Sequence, residues 1–99
     1  MNEREIILII DDKSLTCLAG NPFGVQTYKK STNIKYVSGE HIVFVFPNQI
    51  KRISASFVQG LVKEIAETVG RAKVSKYVIA ESINQNVVDK FNNAIENWL

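Results

Sequence analysis

Ninety-nine residues, 45% of them apolar, suffice for a single buried core, and no second domain is expected among them. Twelve basic and ten acidic side chains, spread along the chain, leave a formal charge of +2, which excludes the concentrated basic footprint of a nucleic-acid or anionic-membrane binder. One cysteine, Cys17, and one histidine, His41, exclude an internal disulfide and a Cys/His metal cluster within one chain; a lone thiol fits a reducing compartment.

In chain order, the continuous apolar run Arg4 to Ile10 predicts a buried strand, and Asp11-Asp12-Lys13-Ser14 supplies turn chemistry after it. The run is too short for a membrane span and carries no small-residue cleavage site, so a cytoplasmic protein is expected. Leu15 to Ala19 reads as a short second strand returning as a hairpin. Pro22 suits a first helical turn, which predicts a helix from Asn21 or Pro22 through Val37. Lys29, Lys30 and Lys35 within it read as a solvated face.

Ser38-Gly39 mark a turn before Ile42 to Phe46, apolar at every position, which predicts a central strand covered on both faces. Apolar residues then fall at 53, 57, 61, 65 and 69, with Val58 and Val62 widening the stripe; this spacing predicts a helix over Ile53 to Val69. Gly60 inside that helix points to a close approach by a neighbouring element, and Gly70 is a natural stop. Lys73 to Glu81 reads as a further strand. Val87, Val88, Phe91, Ala94, Ile95 and Trp98 form the apolar stripe of a last helix, with Trp98 beside Leu99 packing on its own domain or seeding a dimer. Strands alternating with helices predict an α/β fold, a mostly parallel or mixed sheet with helices packed on it through right-handed crossovers.

Catalytic constellations are scarce. His41 has no sequence-evident partner and reads as a partly buried strand-edge residue, and Cys17 reads as a small core side chain. Asp11 and Asp12 diverge at a strand end and make a turn, not a carboxylate pair. Gly20 and Gly24 lack the spacing of a phosphate loop. Tyr36, Tyr77, Phe44 and Phe46 lie in apolar runs without interleaved basic residues, which makes them core and not a base-stacking platform. No cofactor and no metal is called for, and an enzyme is not expected.

The junction before the long helix carries more. Two capping arrangements compete: Ser54 as N-cap, stapled by Ile53 and Val58, or Ser56 as N-cap with Gln59 completing a capping box. Ser54 is the better cap because of the staple. That leaves Ser56 in the first turn, where free N–H groups and nearby Lys51 and Arg52 favour an anion or a phosphoryl group.

This arrangement is similar to the STAS domain (sulfate transporter and anti-sigma factor antagonist). Ile53-Ser54-Ala55-Ser56-Phe57, with the following helix and Val78-Ile79-Ala80-Glu81-Ser82-Ile83-Asn84 ahead of the last one, looks more closely like a STAS-like family of bacterial and phage domains of unknown function. The resemblance implies a mixed sheet of about four strands with about three helices, and a non-enzymatic signalling role. In the antagonists, a serine matching Ser56 is phosphorylated by a histidine-kinase-like ATPase, and the phosphate blocks docking. Where they carry Asp-Ser-Ser/Thr-Gly, this chain carries Ser-Ala-Ser-Phe. The function expected is therefore binding of a protein partner through the helix start, with Arg52, Phe57, Gln59 and Lys63 as contacts and Ser56 or Ser54 as the modification or anion site. An exposed Phe57 would mark that interface. The alternative is a nucleotide- or small-anion-binding module using the same helix N-terminus. Neither nucleic acid nor a membrane is an expected partner, and the chain is expected to be a monomer or a homodimer.

Overall fold

The computed structural model describes residues 3–98. The chain runs β1 (Glu3–Ile7), β2 (Cys17–Leu18), α1 (Asn21–Ser31), β3 (His41–Val45), β4 (Arg52–Ile53), α2 (Ala55–Leu61), α3 (Lys63–Val69), a 3₁₀ turn over Arg71–Lys76, β5 (Val78–Glu81) and α4 (Gln85–Glu96). Its Cα radius of gyration, 12.2 Å, is that of a closely folded chain of this length.

The fold is α/β, but the sheet is not mixed. β1, β3 and β5 pair in that order and wholly in parallel, with Ile6 opposite Phe44 and Phe44 opposite Ala80. β2 and β4 form a separate two-residue parallel ladder. The expected hairpin is therefore absent. A turn closed by the Leu15 N–H on the Asp12 carbonyl carries the chain away from β1, and the Lys51 and Arg52 N–H groups both donate to the Thr16 carbonyl. Cys17-Leu18 thus finds its partner about 35 residues later in the chain, not in the preceding strand.

Three helical expectations also change. α1 stops at Ser31, short of Val37, because Thr32 turns extended and its Oγ1 accepts from the Ile34 N–H and from Arg4 Nη1. The long helix is two segments, broken at Val62 (φ −100°, ψ 11°), and Ile53 belongs to β4. Leu61, Val62 and Ile65 all stay buried across the break; apolar spacing records burial and is blind to a lapse in helical dihedrals. Gly70, at φ +89°, ends α3 as expected and starts the 3₁₀ turn that replaces the first half of the predicted last strand, with Val74 anchored in the core.

Sheet order explains the layering. Right-handed crossovers that keep stepping in one direction, β1 to β3 to β5, lie on one face of the sheet, since only a reversal of direction places helices on the other. Ile6, Ile42, Phe44, Val78 and Ala80 point into that helix-covered core, while alternate residues point the other way, where Ile7 is 65% and Ile79 57% exposed. β1 is therefore open on that side, whereas β3 is the expected central strand with buried residues on both faces, Val43 being only 8% exposed between Ile42 and Phe44. α4, capped by Asn84 Oδ1 accepting from the Asn86 N–H, packs on β5 and α2 with Phe91 against Phe44 and Phe46.

Gly60 faces a backbone, as a glycine kept inside a helix predicts. A Cβ there would lie 2.1 Å from the Asn21 carbonyl oxygen of α1, and a Cβ on Gly24 would lie 2.2 Å from the Phe57 carbonyl oxygen of α2. Two glycines thus bring two helix backbones into contact, and Phe23 meets Phe57 edge-on at 5.6 Å beside them. Elsewhere on the core side, Glu64 of α3 accepts from the Tyr36 N–H at 2.8 Å and from the Tyr28 hydroxyl at 3.3 Å, fastening the loop after α1. At the sheet's N-terminal end, Arg4 donates to both carboxylate oxygens of Glu40 (3.2 and 3.3 Å), and Glu40 also accepts from the Val37 N–H at 2.9 Å.

Two outcomes follow. An unconstrained helical glycine gains about 1 kcal/mol on replacement by alanine, whereas Gly24→Ala and Gly60→Ala should each lose about 2–3 kcal/mol in urea unfolding through overpacking. The Val37 hydrogen bond and then Arg4, outweighing burial, hold the Glu40 carboxyl below its ordinary 4.5. Its folded value being the lower one, Glu40 contributes stability that is complete above about pH 4.5 and is lost as pH falls through the folded value. Glu40→Gln should flatten that part of the acid limb in thermal melts taken from pH 6 downward.

Candidate functional site

The junction between β4 and α2 is built around one hydroxyl. Ser54 is extended (φ −98°, ψ 158°), its N–H donates to the Leu18 carbonyl, and its Oγ accepts from the Phe57 N–H at 3.1 Å, the bond of an N-cap. The same oxygen accepts from the Gly20 N–H at 3.4 Å, immediately before α1. Ser54 thus ties together the starts of both helices. Ile53 and Val58, the two halves of the staple, are both buried.

Ser56 Oγ lies 3.0 Å from Ser54 Oγ. Both lone pairs of Ser54 are engaged by N–H donors, so its own proton is the one shared in this contact. Ser56 accepts it, and the Ser56 O–H is left to point outward from an exposed residue. Ser54 is committed to the fold and Ser56 is not.

Of the expected contacts, Arg52 and Lys63 are exposed and Gln59 is half-buried. Gln59 and Lys63 line an open depression of about 370 Å³ together with Asn21, Glu67, Arg71 and Trp98, and the Arg71 guanidinium stands 5.1 Å above the Trp98 ring. Arg52 lies apart from it on β4. Phe57 is a correction: it is fully buried against Phe23 and offers no surface to a partner. The signal was present in the sequence, because 57 falls on the same apolar stripe as 53, 61 and 65. Arg71 and Trp98 went unnoticed as neighbours of Lys63, since nothing local links the end of α3 to the end of α4. Leu99, read together with Trp98, lies outside the described residues.

Other candidates are scattered. Cys17 is exposed, not core: in a two-residue strand Leu18 takes the inward position and alternation turns Cys17 outward. His41 opens β3 and is half-buried, as expected of a residue at the edge of that strand, with its ring 5.2 Å from that of Tyr77. Asp12 Oδ1 accepts from the Ser14 N–H and Oγ, which lowers its carboxyl from the ordinary value, and Asp11 pairs with Lys30. Tyr36, Phe44 and Phe46 are buried in the core. Among the described residues no group of three or more His, Cys, Asp or Glu side chains is placed to hold a metal ion, and no helix is long and apolar enough to cross a membrane.

Compared with family models, curated proteins and solved structures, the chain matches none.

The unequal duties of the two serines are measurable. Ser54→Ala should lower the unfolding free energy by about 1–2 kcal/mol, through loss of a cap and an unsatisfied Gly20 N–H. Ser56→Ala should stay within about 0.5 kcal/mol of wild type in the same urea titration.

Proposed function

We propose that this chain is a STAS-like regulatory domain, non-enzymatic and cytoplasmic, that binds a protein partner through the start of the α2 segment, with Ser56, Gln59 and Lys63 along the helices and Arg52 apart from them on β4. The observation that carries the reading is the hydroxyl of Ser56, exposed and unneeded by the fold, beside a Ser54 that holds the fold together. A regulatory residue has to change state without unfolding its host, and Ser56 meets that requirement. A phosphoryl group on it would accept the Ser54 proton already directed at that oxygen, with the exposed Lys51 and Arg52 side chains just upstream.

The depression beside Gln59 and Lys63 is open and mixed in charge, which suits a protein surface better than an enclosed small molecule. On the STAS resemblance, the modifying partner would be a histidine-kinase-like ATPase. An exposed free thiol at Cys17 agrees with a reducing compartment.

Incubation with such an ATPase and ATP should add one phosphoryl group to the peptide containing Ser56, and none to Ser56→Ala. In quantitative pull-downs, proteins retained by wild type should fall at least about tenfold with Ser56→Asp while the thermal transition stays unchanged. Equal recovery by the two proteins would sink the switch.

A further inference from the structure

The face of the sheet turned away from the helices is the most unusual surface of the molecule. Parallel sheets are almost always covered on both faces; here the helices lie on one, and on the other Val43 at the centre is buried at 8% exposure while Ile7 and Ile79 on the flanking strands are 65% and 57% exposed. Strand register defines what it displays. Across β1, β3 and β5, Glu5, Val43 and Ile79 stand side by side, and the next pair of positions along places Ile7, Val45 and Glu81 together. In the other direction lie Glu3 and His41, with Tyr77 against the His41 ring.

The pattern is diagonal. An apolar band runs from Ile7 on one edge strand, through Val45 and Val43 in the centre, to Ile79 and Tyr77 at the other edge. Carboxylates occupy the two corners it leaves: Glu3 and Glu5 on one side, Glu81 on the other. All three are exposed, and among the described residues none makes an ion pair or a side-chain hydrogen bond. The chain as a whole is cationic at +2, so this is a local reversal of its charge.

We propose that this face docks an amphipathic helix of a protein partner, one whose apolar stripe is flanked on both sides by lysine or arginine. The band spans three strands about 4.8 Å apart and about four residues along each. That is roughly 16 Å, the length of a helix of about eleven residues. Apolar side chains at i, i+3, i+4 and i+7 would cover Ile7, Val45 and Ile79 around the already buried Val43, and basic residues flanking them would reach the three carboxylates.

A second copy of the chain fits less well. In a two-fold arrangement, an axis along the band or across it sets carboxylate against carboxylate, and an axis along or across the strands buries carboxylates against apolar side chains. Among the described residues His41 is the sole potential cation on this face, so the six carboxylates of two facing copies would find little compensating charge. This surface is on the opposite side of the sheet from α2 and is independent of Ser56.

The test uses the whole chain and two synthetic helical peptides of fourteen residues, identical in their leucine stripe and flanked either by lysine or by glutamate. Fluorescence anisotropy should give about tenfold tighter binding of the lysine peptide, a preference that shrinks with added salt. Amide shift changes should map to β1, β3 and β5. Glu5→Lys/Glu81→Lys should invert the preference, and Ile79→Asp should abolish binding of both peptides; all three positions are exposed, and circular dichroism verifies that the variants fold. Equal binding of the two peptides, shifts confined to the helix side, or a wild-type dimer in sedimentation equilibrium that Ile79→Asp dissociates would each overturn the proposal.

Discussion

The crossing of α1 and α2 at Gly24 and Gly60 is the contact on which the rest of the structure depends. With a backbone carbonyl where each Cβ would be, the two helices sit closer than side chains allow, and this fixes their starts side by side. That adjacency is what lets one hydroxyl, Ser54, reach the Phe57 and Gly20 N–H groups together. It also aligns β2 with β4 just before the helices begin, so the small ladder and the glycine contact support each other. Separation of the helices by one methyl group would break the shared cap, and with it the geometry that directs the Ser54 hydroxyl to Ser56.

What the sequence made legible was periodic or chemically local. The apolar stripes of α2, α3 and α4, the stop at Gly70, the staple around Ser54 and the demand for close approach at Gly60 each depend on neighbours within a turn or two. What it hid was non-local. Gly24 carried no pattern of its own, because its partner is an oxygen 33 positions away. The pairing of Cys17-Leu18 with Arg52-Ile53 was unreadable for the same reason, and a hairpin is the default when a short run follows a turn. Phe57 was misread for a different reason: a residue at a helix start attracts a functional interpretation even when its spacing places it in the core.

The candidate site divides in the same way. The contest between Ser54 and Ser56 was visible in the sequence and its outcome was predicted from the staple. The surroundings were not visible: Arg71 over Trp98, and both beside Lys63, are brought together by the packing of the chain's last helix. The open flanks of the sheet's outer face were equally hidden, since the apolar run Ile42 to Phe46 predicts a covered central strand and says nothing of Ile7 and Ile79 on either side of it.

The all-parallel pairing of the strands bears on how the chain reaches this structure. Glu3 meets His41, Cys17 meets Arg52 and Ile42 meets Val78, so every ladder closes a loop of roughly 35 residues or more. No strand pair can nucleate locally. The loop-closure cost must be met before any of these sheet bonds is rewarded, whereas helical contacts carry no such cost. A nascent chain still lacking residues 78–81 therefore holds Phe44 beside an unfilled strand position, a state in which the core is exposed until β5 has been made.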